Sequence, residues 1–94
     1  MRRAAKIDAN QTEIVEALRS VGAKVQSLAA VGDGVPDLLV GFRGSLYLIE
    51  CKDGKKPPSE RKLTDKQEKW HAEWSGLPVY VVTCINESIE VLAG

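Results

Sequence analysis

The chain has 94 residues, enough for one small domain with a single modest core. It carries 13 basic and 13 acidic residues, so its formal net charge is zero, which excludes a histone-like protein held to nucleic acid mainly by bulk charge. Apolar residues make up 44% of the chain and charged residues 28%, which is typical of a globular protein. We expect a single domain over residues 1–94 and no membrane span, since no apolar run is long enough for one.

The two cysteines, Cys51 and Cys84, lie far apart in the sequence and form no CxxC pattern. The chain also begins without the apolar stretch of a secretory signal peptide, so we expect reduced thiols in a cytosolic protein. Neither cysteine has histidine or cysteine neighbours at zinc-binding spacing, and we interpret both as buried core thiols.

The first element is a helix over Gln11–Val21, because its apolar residues recur at helical spacing. Asn10 and Glu13 are spaced as a capping box at its start, and Gly22 fits the stop at its end. A short strand with partial alternation follows over Ala23–Leu28.

A glycine-rich loop, Ala29–Pro36, leads to two apolar runs, Asp37–Gly41 and Ser45–Cys51, which residues 42–44 connect. This arrangement predicts a β-hairpin. Both runs are apolar at consecutive positions, which is typical of strands buried on both faces, and we therefore place them centrally in the sheet.

The paired prolines in Gly54–Leu63 predict a loop, since proline cannot donate to a strand ladder. A second helix is predicted over Thr64–Ser75, where Thr64 and Gln67 are spaced as a capping box. Trp70 and Trp74 lie one turn apart on this helix, and we expect them to face the core.

A valine-rich strand is predicted over Pro78–Cys84, and the tail Glu87–Leu92 fits either a short helix or a last strand. The order of elements is helix, strand, strand, strand, helix, strand and tail. We therefore predict a single α/β domain with a mixed central sheet flanked by helices.

Three ionisable residues stand at the ends of the two hairpin strands. Asp37 opens the first strand, whereas Glu50 and Lys52 end the second and share one face because side chains alternate along a strand. Charged groups on an otherwise apolar strand are costly unless they pair or bind a metal. Two carboxylates would suit Mg²⁺ or Mn²⁺, and a nearby ammonium could stabilise charge on a reacting phosphate. The alternative is a solvated Glu50–Lys52 ion pair, with Asp37 capping a turn.

The strings Gly34-Val35-Pro36-Asp37 and Glu50-Cys51-Lys52 resemble the Pro-Asp…(Asp/Glu)-X-Lys signature of the restriction-endonuclease-like nuclease superfamily. Within it, the chain is similar to the VRR-NUC family, which combines a helix with an acidic residue, a glycine loop, a Glu-X-Lys strand and a Leu-Thr-X-X-Gln-X-X-Trp segment. The segment 63–70 supplies this last element, and the match runs from about residue 10 to residue 84. The resemblance implies a restriction-endonuclease-like fold.

The resemblance also implies residue roles. Asp37, Glu50 and the backbone carbonyl of Cys51 would hold the metal, Mg²⁺ or Mn²⁺, and Lys52 would be the catalytic lysine. Gln67 would be the helix glutamine near the active site, although its spacing with Thr64 also fits a helix cap. The acidic residue of the first helix would be Glu13, which could equally be the capping partner of Asn10, or else Glu16, one turn later.

The loop that follows Lys52 is basic, and its cationic residues are candidates for contacts with DNA phosphates: Lys55, Lys56, Arg61 and Lys62. A flexible solubilising loop is the alternative. His71 is the only histidine in the sequence, and we interpret it as a surface or packing residue, since no partner spacing suggests nucleophilic or zinc chemistry. The glycine loop lacks the Gly-Lys-Ser of a nucleotide-binding loop, so no nucleotide cofactor is expected.

The resemblance implies a metal-dependent endodeoxyribonuclease that leaves a 5′-phosphate and a 3′-hydroxyl. A chain this short has no room for a sequence-reading domain, so we expect branched DNA as the substrate, as for the related Holliday junction resolvases, and a C₂ homodimer that matches the symmetry of a junction. Standalone VRR-NUC proteins of this length resemble phage or prophage products, acting in bacterial or phage-infected host cytosol. The alternatives are a monomeric flap or nicking nuclease, a nuclease part of a larger complex, and a non-catalytic DNA-binding or protein-interaction module.

Overall fold

The structure, a computed structural model, describes residues 8–94. In chain order the elements are α1 (Gln11–Ser20), β1 (Lys24–Ser27), β2 (Leu38–Phe42), β3 (Ser45–Cys51), a 3₁₀ turn (Pro58–Glu60), α2 (Asp65–Glu73), β4 (Val79–Val82) and α3 (Ile85–Ala93). This confirms the predicted α/β order, and the undecided tail is a helix. None of the helices in residues 8–94 is long and apolar enough to cross a membrane.

The four strands of the described region form one mixed sheet in the order β1-β2-β3-β4. β2 pairs antiparallel with β1 and β3, whereas β4 joins β3 in parallel. The predicted hairpin is confirmed, and its two strands are central in the sheet. Arg43 and Gly44 form its turn with φ values of 48° and 82°, the left-handed conformation that suits the twist of a tight hairpin.

The hydrophobic core lies between one face of the sheet and the helices α1 and α3. It is built from residues that alternate along the strands or recur every four positions on α1: Ile14, Leu18, Leu38, Val40, Ile49, Cys51 and Val82. Cys51 is therefore a buried thiol as predicted. Cys84 is exposed, contrary to the prediction, because the chain leaves the sheet after β4 and Cys84 becomes the residue that precedes α3.

The other face of the sheet, which we call the open face, is only partly covered. Leu46 is 65% exposed, and Leu39 and Leu48 are half-buried, so the prediction of strands buried on both faces is wrong. The reason is that α2 crosses only part of this face. Trp70 and Trp74 lie on α2 and stack on each other with ring centroids 4.6 Å apart, and Trp74 is 42% exposed. Their predicted place in the core is therefore also wrong.

The two predicted helix starts have different outcomes. The capping box of α2 is confirmed, because the Gln67 backbone N–H donates to Thr64 Oγ1 at 3.2 Å and the Thr64 N–H donates to Gln67 Oε1 at 2.9 Å. The capping box of α1 is wrong, because within residues 8–94 the Asn10 side chain makes no capping hydrogen bond and its backbone is already helical. At the other end of α1, Gly22 adopts a φ of 97°, as its predicted role as a helix stop requires.

The glycine loop before β2 packs directly against the N-terminal turn of α2. Gly34 has a φ of 83°, and a Cβ atom at this position would overlap the backbone carbonyl of Lys66. At the end of the loop, the Leu28 N–H donates to the Asp37 carbonyl at 2.7 Å. The loop therefore positions the start of α2, and the hydrogen bond across its ends fixes the backbone of Asp37 where the chain enters the sheet.

We predict that Gly34→Ala lowers the free energy of unfolding by about 2–4 kcal/mol, since it combines a strained backbone with a clash against Lys66. The matched control is Gly32→Ala. Gly32 also has a positive φ, 74°, but a Cβ atom there meets nothing within 4 Å in the described region. We expect the control to lose only the backbone cost of about 1–2 kcal/mol in urea unfolding. Equal losses in the two variants would contradict the proposed packing of loop against helix.

Candidate active site

The pairing of β2 with β3 brings two carboxylates together. Leu38 pairs with Ile49, and the same register extended by one residue places Asp37 opposite Glu50. Glu50 is 1% exposed, and Asp37 is half-buried. One oxygen of Asp37, Oδ2, accepts a hydrogen bond of 2.7 Å from the Cys51 backbone N–H, which fixes this carboxylate at the end of β3.

Lys52 shares the face of Glu50 and is 9% exposed. Its Nζ donates a hydrogen bond of 2.8 Å to Gln67 Oε1, while Gln67 Nε2 donates to Glu50 Oε2 at 3.2 Å. Gln67 therefore bridges the lysine and the carboxylate from α2. Because the same Oε1 also accepts from the Thr64 N–H, both roles considered for Gln67 from the sequence are present in one side chain.

These groups line one cleft of about 310 Å³ on the open face of the sheet. Its inner wall consists of the residues Asp8, Asp37, Glu50, Cys51, Lys52 and Gln67. Its outer wall comes from the loop between β3 and α2, with Lys56, Glu60, Lys62 and Thr64. The structure thus brings the Asp37, Glu50, Lys52 and Gln67 candidates into one site.

The acidic candidates of the first helix lie elsewhere. Glu13 is exposed and lines a separate depression, and Glu16 is also exposed. The acidic residue that reaches the cleft from this part of the chain is Asp8, one turn before Gln11, and its negative charge acts on Glu50.

The four basic loop residues do not all lie at the site. Lys56 and Lys62 line the cleft. Lys55 lines the depression that contains Glu13. Arg61 is half-buried, and its positive charge acts on Glu87 of α3. The structure therefore brings two of the four candidates to the site.

Asn10 is a residue of the site that the sequence analysis assigned to a different role. It is buried, and its Nδ2 donates 3.0 Å hydrogen bonds to the carbonyls of both Lys52 and Thr83. These bonds connect the start of α1 to the residues that directly follow β3 and β4. The side chain thereby fixes the backbone from which Lys52 enters the cleft. An asparagine directly before a helix indicates a cap, and no pattern in the sequence distinguishes the two uses.

His71 is the second residue whose place the sequence analysis did not predict. Its Nε2 lies 3.5 Å from Oε1 of Glu50, and its side chain is 16% exposed. It stands four residues after Gln67, so both side chains lie on the face of α2 that is turned towards the site. This spacing was the available signal for the contact with Glu50, while the predicted packing role is also present, because the ring packs edge-on against Trp70 at 5.8 Å.

The electrostatics of the site follow from the burial of two acids beside each other. Burial, together with the hydrogen bond and negative charge of Asp37, raises the pKa of Glu50 to about 9, although Lys52 acts in the opposite direction. Burial also raises the pKa of the Cys51 thiol, which therefore stays protonated. The pKa of His71 is lowered by burial and then by the Lys52 charge, which keeps the imidazole neutral at pH 7. In the absence of a cation, the site retains a proton on the carboxylate pair at neutral pH.

The donor set of the cleft suits a hard divalent cation. Asp37 and Glu50 offer carboxylate oxygens, and Glu50 Oε1 is buried with no hydrogen-bond partner among residues 8–94. In this part of the chain, no group of three histidine, cysteine or acidic side chains is close enough to form a metal site by itself. Magnesium commonly uses only one or two carboxylates, with water and substrate phosphates as its remaining ligands. The residues present therefore fit Mg²⁺ or Mn²⁺ and do not fit a closed structural metal site.

No family profile and no curated protein matches the sequence. A solved structure described as "VRR_NUC domain" is similar to the whole fold: the TM-score is 0.64, the sequence identity is 27%, and the alignment covers 88% of this chain and 89% of the other. This likeness supports the resemblance to the VRR-NUC family. The four-stranded mixed sheet with three helices in the described region is consistent with a VRR-NUC fold of the restriction-endonuclease-like type, and the likeness implies a nuclease-type domain.

We predict that the protein, kept free of metal with EDTA, becomes less stable as the pH rises. The folded-state pKa of Glu50, about 9, lies above its ordinary value of 4.5, so the folded protein holds a proton that the unfolded chain has released. The stabilisation is complete below about pH 4.5 and is lost as the pH rises towards 9, at up to about 1.4 kcal/mol per pH unit. Urea unfolding at a series of pH values measures this slope.

Glu50→Gln should remove most of the slope and make the metal-free protein more stable than the wild type at about pH 8, because an amide cannot ionise. The control is Glu90→Gln, a substitution at an exposed position of α3 that should leave the slope unchanged. If the stability of the metal-free wild type stays constant or increases between about pH 4.5 and about 9, the carboxylate pair does not keep a proton at neutral pH.

Proposed function

We propose that this protein is a Mg²⁺- or Mn²⁺-dependent endodeoxyribonuclease that hydrolyses DNA phosphodiesters and leaves a 5′-phosphate and a 3′-hydroxyl. The observation that supports this proposal most strongly is the linked set in the cleft, where Gln67 bonds both Lys52 and Glu50 while Asp37 lies against Glu50. A solvated ion pair at a strand end, the alternative considered from the sequence, would not be buried or bridged by a second element.

The proposed role of the carboxylates is to hold the cation. Asp37 and Glu50 would be its side-chain ligands, together with the backbone carbonyl of Cys51, and Asp8 takes the place in the cleft that the sequence analysis gave to Glu13. When bound, the metal supplies Lewis-acid polarisation of a phosphate oxygen and lowers the pKa of a bound water.

The proposed role of Lys52 is to orient the attacking water and stabilise the negative charge that develops on the phosphate. Its ammonium is held by Gln67 at 2.8 Å, so the side chain loses little freedom when the substrate arrives. Burial of the site strengthens the attraction between the Lys52 ammonium and the phosphate charge, because charges act more strongly where water is excluded. Lys56 and Lys62, on the outer wall of the cleft, are suited to hold the phosphates that flank the cut.

For the substrate we propose branched DNA such as a four-way junction, with the protein acting in bacterial or phage-infected host cytosol. The described region consists of one sheet with its helices, and Lys56 and Lys62 at the cleft would contact the DNA backbone without reading bases. This favours recognition of DNA shape. A junction offers two cutting positions related by approximate two-fold symmetry, which a C₂ homodimer would match.

An apolar groove on the open face supports the homodimer. It is lined by Leu39, Leu46, Leu48, Trp74, Leu77 and Val79. Leu46 and Leu48 alternate with Glu50 on one face of β3, so the groove and the cleft lie side by side. Exposed apolar patches beside polar residues often mark interfaces between proteins, and we propose that a second copy covers this one.

We predict metal-dependent cleavage of labelled DNA, with a four-way junction preferred over a flap, a duplex and a single strand. Lys52→Ala should lower the rate of cleavage about a hundredfold or more while Mn²⁺ and DNA still bind, because it removes only a group that acts in the transition state. Asp37→Asn should also weaken Mn²⁺ binding, because it removes a ligand charge.

The matched control for Lys52→Ala is Lys24→Ala, since Lys24 is exposed on β1 and does not line the cleft. The control should cleave at the wild-type rate. Cleavage by Lys52→Ala at that rate would contradict the mechanism. Absence of cleavage of every substrate by the folded wild type with either metal would favour a binding module instead.

We predict a dimer by light scattering at micromolar concentration, and a monomer for Leu46→Glu, which places a charge in the apolar groove. The control is Val31→Glu, since Val31 is 58% exposed in the loop between β1 and β2 and does not line the groove. It should remain a dimer. A monomeric wild type that still cleaves would exclude the dimer and favour a flap or nicking nuclease.

A further inference from the structure

Glu50 is contacted by two side chains of α2, one at each carboxylate oxygen. Gln67 Nε2 donates to Oε2 at 3.2 Å, and His71 Nε2 lies 3.5 Å from Oε1. Gln67 and His71 are four residues apart and therefore lie on the same face of the helix. Their two nitrogen atoms thus approach the carboxylate from one side, which leaves Asp37 on the neighbouring strand at another side.

The contact with His71 joins two buried atoms that both need a partner. Within residues 8–94, neither Glu50 Oε1 nor His71 Nε2 has a hydrogen-bond partner, and both are inaccessible to water. Buried polar atoms are rarely left unpaired, since an unpaired donor or acceptor loses its hydration without compensation. Their distance of 3.5 Å is slightly longer than an ordinary N–H···O bond, and such bonds in active sites often shorten when the site is loaded.

We propose that His71 is a positioning residue that donates its Nε2–H to Glu50 Oε1 and, with Gln67, fixes the orientation of the Glu50 carboxylate for metal binding. This inference rests on the proposed role of Glu50 as a metal ligand. A carboxylate held at both oxygens cannot rotate about its Cγ–Cδ bond, so its remaining lone pairs keep one direction. Groups that orient a metal ligand in this way commonly change metal affinity by about tenfold to a hundredfold when they are removed.

The clamp, by which we mean Gln67 and His71 on Glu50, also gives α2 a defined position. No residue of this helix is buried, so apolar packing holds it only weakly. The two polar contacts with Glu50 and the bond from Lys52 to Gln67 are directed interactions at one end of the sheet. The outer loop with Lys62 and Thr64 leads directly into α2, so the same contacts position the outer wall of the cleft.

The first test needs no metal. His71 is the only histidine in the chain, so the ring ¹⁵N signals of labelled protein in EDTA at pH 7.5 belong to this residue alone. We expect a neutral ring with its proton on Nε2, because Nε2 faces an acceptor. A proton on Nδ1 would leave Nε2 with no hydrogen to donate and would overturn the proposal.

The second test compares two substitutions of one residue by calorimetric titration with Mn²⁺. His71→Leu removes the donor and should weaken Mn²⁺ binding about tenfold or more, whereas His71→Gln, whose amide nitrogen can reach the same point, should stay within about threefold of the wild type. The control is Ala72→Leu, at an exposed position of the same helix, which should bind Mn²⁺ as the wild type does.

The outcomes separate this inference from the proposed function. If His71→Leu binds Mn²⁺ as tightly as the wild type, or if His71→Gln loses as much as His71→Leu, the positioning role is refuted while the metal site stands. If the wild type itself binds no Mn²⁺, the proposed metal-dependent function fails, and the ring tautomer alone decides whether His71 donates to Glu50. Urea unfolding in EDTA identifies a variant that fails to fold. If His71→Leu does not fold, Mn²⁺ binding is compared between His71→Gln and the wild type.

Discussion

Two carboxylates placed side by side at the buried end of a hairpin impose the main physical constraint on this domain. The side chains of Asp37 and Glu50 meet because β2 and β3 pair in one register, and Glu50 has almost no access to water. Two negative charges in such a place repel each other and lack hydration, so the pair must keep a proton or acquire positive charge. The raised pKa of Glu50 shows that the metal-free pair keeps a proton. The carboxylate oxygens also suit a hard cation, which would supply the positive charge instead. The site is therefore least stable when it is empty and fully ionised.

The surrounding structure reduces this cost with directed polar contacts. Asp37 is held by the Cys51 backbone N–H, and Glu50 is contacted by Gln67 and His71. Lys52 contributes the nearby positive charge, while Asn10 holds its backbone from α1. The hydrophobic core lies on the other face of the sheet, so the fold separates the face that provides stability from the face that carries the candidate site. This division is consistent with a small nuclease-type domain that resembles a VRR-NUC domain.

The sequence predicted those parts of the fold in which local patterns and packing agree. The α1 stripe, the hairpin of β2 and β3 and the capping box of Thr64 with Gln67 are all confirmed, because spacing, turn chemistry and burial point to the same structure in each. Runs of apolar residues cannot reveal whether a second layer covers them, which is why the open face and the exposure of Trp74 were missed.

Long-range contacts limited the prediction of the site. The alternation of Glu50 and Lys52 is a local property and could be deduced, whereas the bonds of Asn10 to Lys52 and Thr83 span 42 and 73 positions of the chain. His71 was missed for a related reason, since its partner Glu50 lies on another element. Its spacing from Gln67 becomes informative only when the face of α2 that meets the sheet is known. The same is true of Asp8, whose position depends on how the start of α1 is attached to the sheet.

The most direct test of the central claim is a calorimetric titration of the protein with Mn²⁺ near pH 7.5, repeated in buffers of different ionisation enthalpy. If Asp37 and Glu50 share a proton that a cation displaces, Mn²⁺ should bind at one site and release about one proton per ion. Glu50→Gln should abolish both the binding and the release. Binding without proton release, or undiminished binding by Glu50→Gln, would show that this pair of carboxylates is not the metal site.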